Sequence, residues 1–185
     1  RKNDSKIIFT SNSGIYGEPE YLPIDEKHPD NPTTPYDANK LVSEYYIKIY
    51  NEIYGIRNAI CRLATVYGER QRTSEEWKPV IAEFVNKMLN DKRPTIWGDG
   101  LQTRDFIYVL DVVDGLIKAA ESKNTDNKIF ILSTNIETRI IDIVNILNEL
   151  LGKNIQPIFS EPKPGDIRRM VYSYDCLLYT SPSPR

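Results

Sequence analysis

Lys6-Ile7-Ile8-Phe9-Thr10-Ser11-Asn12-Ser13-Gly14 decides how this chain folds. Lys6 to Phe9 is a short apolar run that opens at once into small polar residues and a glycine. That is the pattern of a buried strand whose carboxyl end becomes a polar loop. In open α/β sheets, ligands bind at such strand ends. Just downstream, Glu18 to Pro35 carries Pro19, Pro23, Pro29, Pro32 and Pro35. Its backbone cannot sustain helical or central-strand hydrogen bonding, so it reads as a surface loop.

From Tyr36 to Tyr54, the residues Leu41, Tyr45, Tyr46, Ile49, Tyr50 and Ile53 recur at three- and four-residue steps, one face of a long helix that Gly55 stops. Ala59 to Val66 reads as a second buried strand running into Tyr67-Gly68. Val80 to Leu89 has a helical period, Thr95 to Trp97 follows it, and Gly98-Asp99-Gly100 is a turn. Phe106 to Val109 reads as a strand, Val112 to Glu121 as a helix and Lys128 to Leu132 as a strand. Ile140 to Leu151 is the strongest amphipathic helix, with Gly152 as its stop. This alternation predicts an α/β architecture with a mainly parallel sheet. Cys176 to Arg185, with Ser181-Pro182-Ser183-Pro184, breaks the pattern and is expected to be a disordered tail of non-native character.

Composition narrows the classes of function. The 185 residues include 24 Lys+Arg and 26 Asp+Glu, a formal net charge of −2. That balance lacks the basic face that nucleic-acid binding needs. The longest apolar runs, such as Ile129 to Leu132, fall far short of the roughly 18 apolar residues of a membrane span. Two cysteines, Cys61 and Cys176, make no disulfide framework, and no Cys/His cluster has zinc-ligand spacing. The expectation is a cytoplasmic protein without a structural metal, nucleic-acid partner or membrane partner.

Tyr36 and Lys40 stand four residues apart at the start of the long helix, so both side chains share one side of its first turns. The spacing alone discriminates little. Its context says more, because the pair follows the polar strand end Thr10 to Ser13 and the Pro-rich loop. A phenol titrates near about 10 and is a poor base at neutral pH. An adjacent ammonium, and a cationic cofactor ring where one is bound, favour the phenolate, which can then take a proton from a substrate hydroxyl.

With these residues in view, the sequence resembles the extended short-chain dehydrogenase/reductases, in particular the NAD-dependent nucleotide-sugar epimerase/dehydratase group that includes UDP-glucose 4-epimerase. The matching pieces are Phe9 to Gly17, Pro35-Tyr36 to Lys40, Arg62 to Gly68, Gly98-Asp99-Gly100 with Gln102 to Phe106, and Lys163-Pro164-Gly165-Asp166. The resemblance implies a Rossmann-like parallel sheet, incomplete at its N-terminal side, with a small C-terminal α/β substrate-binding subdomain. On this reading residues 1–75 are the C-terminal part of the NAD-binding domain with the Tyr/Lys helix. Residues 76–175 are mainly the substrate subdomain with interleaved Rossmann elements, and 176–185 are the tail.

The resemblance also implies roles. Tyr36 is the expected catalytic base, and Lys40 favours its ionised form and bonds the nicotinamide ribose; Leu63 meets the cofactor through its backbone. The family usually has Ser or Thr where this chain has Asn12, so either Ser11 or Ser13 supplies the hydroxyl after a one-residue shift, or Asn12 acts through its amide. Arg104 resembles the residue that grips the nucleotide diphosphate, a task for a planar fork. Trp97 falls near the nucleotide base, where a packed core aromatic is equally ordinary. Lys163 and Asp166 resemble a second phosphate and ribose contact, and Thr65 stands where the family commonly has a substrate-contacting Asn.

Ser13-Gly14 stands where dehydratases of the family carry an Asp-Glu pair, so elimination lacks its acid and base. Cys61 and His28 do not match the Cys/His placement of a related reductase group. Epimerisation remains: Tyr36 deprotonates a sugar hydroxyl, hydride passes to NAD, the keto-sugar rotates, and hydride and proton return. The alternatives are a 4,6-dehydratase or reductase, or a non-catalytic nucleotide-sugar or NAD-binding module. No G-x-G-x-x-G occurs and residue 1 is Arg1, so the first βαβ units and the pyrophosphate cradle are expected upstream, leaving this piece alone inactive. The family commonly forms homodimers through a bundle that includes the Tyr/Lys helix. Tyr45, Tyr46 and Tyr50 suit that role or simple core packing.

Overall fold

A parallel three-stranded sheet in the order β1-β2-β6 organises the chain in this computed structural model, which describes residues 5–74 and 78–173. The expected boundary at 75/76, Cys176 and the 176–185 tail lie outside the described residues. β1 (Ile7–Asn12) continues through the small polar residues to Asn12, beyond the apolar run, because its partner β2 (Asn58–Leu63) bonds it along its whole length, from Ile7 opposite Asn58 to Asn12 opposite Leu63. β2 is central and buried from Asn58 to Arg62, as a strand covered on both faces should be. β6 (Lys128–Leu132) pairs with its other edge. Among the described residues, β1 is bonded on one edge only.

The stretch expected as one strand, Ala59 to Val66, is split. The break falls at Ala64, whose N–H donates to the Leu132 carbonyl; after it β3 (Thr65–Tyr67) leaves for a second sheet, order β3-β5-β7. β5 (Thr103–Tyr108) starts three residues earlier than its apolar run and runs parallel to β3, whereas β7 (Glu137–Arg139), which carries no apolar run, is antiparallel to it. A two-stranded parallel sheet joins β4 (Thr95–Trp97) to β8 (Ile158–Ser160). Four of these five strand pairings are parallel, in keeping with the α/β expectation.

Among the described residues, four α-helices lie between the strands. α1 (Pro35–Tyr54) begins with Thr34 as N-cap, whose hydroxyl accepts from the Asp37 N–H, and ends at Gly55 in the left-handed region. α2 (Val80–Leu89) and α4 (Ile140–Leu151) have the bounds their periodicity predicts, while α3 (Val109–Glu121) starts directly at the end of β5. One core gathers Ile15, Tyr16, Ile24, Cys61, Phe130, Ile131 and Tyr172; the other packs Phe84, Met88 and Ile96 against Ile140, Ile143 and Val144.

Core packing of the α1 aromatic stripe is excluded, and one expectation is overturned. The aromatic stripe of α1 faces outward: Tyr45, Tyr46, Ile49, Tyr50 and Ile53 are exposed, and the helix buries Asp37 and Glu44 instead. Its inner face meets polar partners on the sheet, and those outweigh the apolar stripe in setting the helix's rotation. The Pro-rich segment is also not wholly a surface loop. Ile24 and His28 are buried, Ile24 bridges Tyr172, and His28 Nε2 accepts the Glu20 N–H. Proline bars regular elements but not burial.

Gly17, at φ +64°, closes the short 3-10 turn Ser13–Tyr16 after β1, and a Cβ there would meet the Asn31 carbonyl oxygen at 2.2 Å. The Asn31 N–H is itself bonded to the Ile15 carbonyl, so that backbone is held in place. Gly17→Ala in the whole protein is expected to cost roughly 2–4 kcal/mol, read as a lower urea midpoint.

Candidate active site

The carboxyl ends of β1 and β2 and the first turn of α1 enclose a cleft of about 430 Å³ lined by Thr10, Ser11, Asn12, Tyr36, Lys40, Leu63, Thr65 and Val80, among others. Tyr36 is 61 % exposed, open to anything that enters. Lys40 Nζ donates to the Thr10 carbonyl at 2.7 Å and stands 5.8 Å from the centre of the Tyr36 ring. The Thr34 cap and the helical spacing of four place both side chains here.

The three candidates at the end of β1 separate. Asn12 donates through Nδ2 to Asp37 Oδ1 at 2.8 Å, tying the strand to α1. Ser11 lines the cleft but is buried, and its hydroxyl has no hydrogen-bond partner within the structure. Ser13 is turned the other way, toward the Tyr172 phenol, whose pKa is raised chiefly by burial and lowered in part by that hydroxyl. A side chain at Gly14 would displace the Asp37 carboxylate, since a Cβ there would meet Asp37 Oδ1 at 2.4 Å.

A second cleft, about 520 Å³, is lined by Lys78, Trp97, Gln102, Arg104, Lys163 and Asp166, and shares Thr65 and Val80 with the first. Arg104 donates to Asp166 and to the Thr103 and Ile167 carbonyls. Trp97 is 43 % exposed, so it is not a core aromatic, and Lys163 Nζ lies 5.0 Å above its ring. Strand alternation turns the neighbouring Asp105 inward, where it accepts from the backbone N–H groups of Thr134 and Asn135.

A third constellation went unread in the sequence. Arg62, next to last in β2, is 2 % exposed; it donates to both carboxylate oxygens of Glu44 on α1, pairs with Asp30 of the Pro-rich segment, and lies 4.8 Å from the centre of the Tyr16 ring. Burial raises the Tyr16 phenol. The available signal was an arginine inside an apolar strand, with acids at Asp37 and Glu44, seven residues apart on one helix face. Cys61, beside it in β2, is buried and its thiol is pushed up to about 11.

The family model described as "NAD dependent epimerase/dehydratase family" matches residues 1–133, the span that contains the first cleft. The chain belongs to that family. Among curated relatives, the UDP-glucose 4-epimerase of Mycolicibacterium smegmatis is 34 % identical over 165 residues, 89 % of this chain and 52 % of its own length. The UDP-N-acetylglucosamine 4-epimerase of Methanobrevibacter ruminantium M1, solved with UDP-N-acetylmuramic acid, matches with a TM-score of 0.93 at 32 % identity, over 98 % of this chain and 58 % of that one. The UDP-glucuronic acid 4-epimerase of Bacillus cereus, solved with UDP-glucuronic acid and NAD, gives 0.84 at 32 % identity, over 97 % of this chain and 57 % of that one. The chain thus spans about half the length of the family members it matches. Its α/β fold is Rossmann-like and incomplete by comparison with theirs. No helix among the described residues is long and apolar enough to cross a membrane.

Proposed function

We propose that the whole protein is an NAD-dependent UDP-sugar 4-epimerase, and that this chain supplies its catalytic pair and most of its sugar-nucleotide site. The carrying observation is the junction of the two clefts at Thr65 and Val80, which sets a Tyr/Lys pair beside a basic, aromatic-lined groove. A nucleotide held by Arg104, Lys163, Asp166 and Trp97 would direct its sugar past Thr65 toward Tyr36. Residues 1–75 serve chiefly the cofactor side, and 76–175 chiefly the substrate side.

The groups around Tyr36 suit a dinucleotide: Lys40 is a donor for ribose hydroxyls, Leu63 offers backbone, and Ser11 lines the same cleft. NAD, when bound, supplies the acceptor and donor of hydride. Tyr36 would take the proton from the sugar hydroxyl and later return it to that same oxygen, once the keto-sugar has turned its opposite face to the returning hydride. Lys40 holds positive charge beside that oxygen. Arg104 and Lys163 retain the diphosphate while the sugar turns, which demands a firm grip on the nucleotide and a loose one on the sugar. Ser13-Gly14 carries no carboxyl group, which speaks against a dehydratase, whose acid and base would stand there.

The test is interconversion of UDP-glucose and UDP-galactose, or of their N-acetyl counterparts, by the whole protein with NAD. Formation of the 4-epimer supports the reading; binding of UDP-sugar without turnover of any of them overturns it in favour of a binding module. The isolated 185-residue chain should show no turnover. Arg104→Ala is expected to weaken UDP binding by about 10- to 100-fold, the worth of a charge-assisted hydrogen bond, with a smaller loss in kcat. Calorimetry with UDP reads the first effect. The exposed α1 face of Tyr45, Tyr46, Ile49 and Tyr50 is proposed to join two copies of the protein.

A further inference from the structure

We propose that Asn12 is a positioning residue, whose amide holds the Asp37 carboxylate and thereby fixes Tyr36 against the end of β1. The inference rests on the reading of Tyr36 as the base. Asp37 is the next residue along α1, it is buried, and every contact of its carboxylate runs toward the same junction. Oδ1 accepts from Asn12 Nδ2 at 2.8 Å, and Oδ2 accepts from the Thr34 hydroxyl at 2.6 Å. The same hydroxyl caps α1 by accepting the Asp37 N–H. One carboxylate therefore joins the strand end, the cap and the first helical turn.

Lys40 Nζ, donating to the Thr10 carbonyl, is a second stitch between α1 and β1. Tyr36 directly precedes the stretch these two stitches define. Gly14 belongs to the same device, because a Cβ there would meet Asp37 Oδ1 at 2.4 Å and Asn12 Oδ1 at 2.9 Å. Asn12 Oδ1 is buried and makes no hydrogen bond, so the side chain's one bonded commitment is to Asp37. A serine at position 12 would be too short to span to Asp37, which gives asparagine at this place a physical reason of its own.

The interaction has a direction, amide to carboxylate, and can be reversed. Asn12→Asp sets two carboxylates face to face and should lower kcat by about 10²-fold, the cost of displacing a catalytic group by roughly an ångström, with KM little changed. Adding Asp37→Asn restores one amide and one carboxylate with roles exchanged, and residue 37 can still accept from Thr34. The double variant should regain at least tenfold of the lost kcat. Asn12→Ser should also lower kcat with KM held, although it installs a hydroxyl.

A double variant no faster than Asn12→Asp overturns the proposal, since a residue acting directly on the sugar gains nothing from a change at Asp37. So does an Asn12→Ser enzyme as fast as the parent, and this arm decides the matter if Asn12→Asp does not fold. Tyr36→Phe is run alongside. If it keeps full turnover, the reading of the site fails; if it is inactive while the double variant shows no rescue, only the role given to Asn12 fails.

Discussion

Tyr36→Phe should lower turnover of UDP-sugar in the whole protein by about 10²–10⁴-fold, the usual contribution of a positioned acid–base group, while leaving UDP affinity within about twofold. Affinity is spared on this reading because the residues proposed to hold the nucleotide, Arg104, Lys163 and Asp166, line the second cleft. The fold is spared too. Tyr36 is 61 % exposed, so removing its hydroxyl opens no cavity and strands no buried partner. Product formation by chromatography reads the turnover, and calorimetry with UDP reads the affinity. A variant that retains more than about a tenth of parental turnover would assign the proton to another group.

The second large effect concerns stability. Arg62→Met should destabilise the whole protein by about 3–5 kcal/mol, the cost of leaving a buried charge unpaired, here Glu44 at 0 % exposure. Asp30, 26 % exposed at its side chain, can recover water and adds little. Arg62→Leu with Glu44→Leu should recover most of the loss, because replacing both members of a buried pair by apolar groups removes the desolvation penalty together with the attraction. Urea midpoints of the two variants and the parent decide it. Equal losses in the single and double variants would mean that packing around Arg62, including the Tyr16 ring, matters more than the pairing of charge.

The motifs of the site were legible as local features. Tyr36 and Lys40 share a helix face by spacing, and the polar end of β1 marks the mouth of an α/β sheet. Trp97, Arg104, Lys163 and Asp166 come from β4, β5 and the loop after β8, yet line one cleft. The stops at Gly55 and Gly152 were equally plain, since both sit in the left-handed conformation that glycine adopts without steric cost. β7 and β8 escaped notice because three-residue strands carry too few residues to show a period.

By itself, then, the sequence determined what depends on neighbours a few residues apart: the α-helices and the longer strands in their order, the helix stops, and the Tyr36/Lys40 pair. The tertiary structure decided what depends on partners far along the chain. The Arg62–Glu44 pair and the Asn12–Asp37 bond, 18 and 25 residues apart, turn the charged face of α1 inward against its own apolar stripe. The division of Ala59 to Val66 between two sheets follows from β6 and β5 competing for its two halves. The physical reason is the same in each case. A buried polar group must find a partner wherever the chain provides one, and local periodicity does not record where that is.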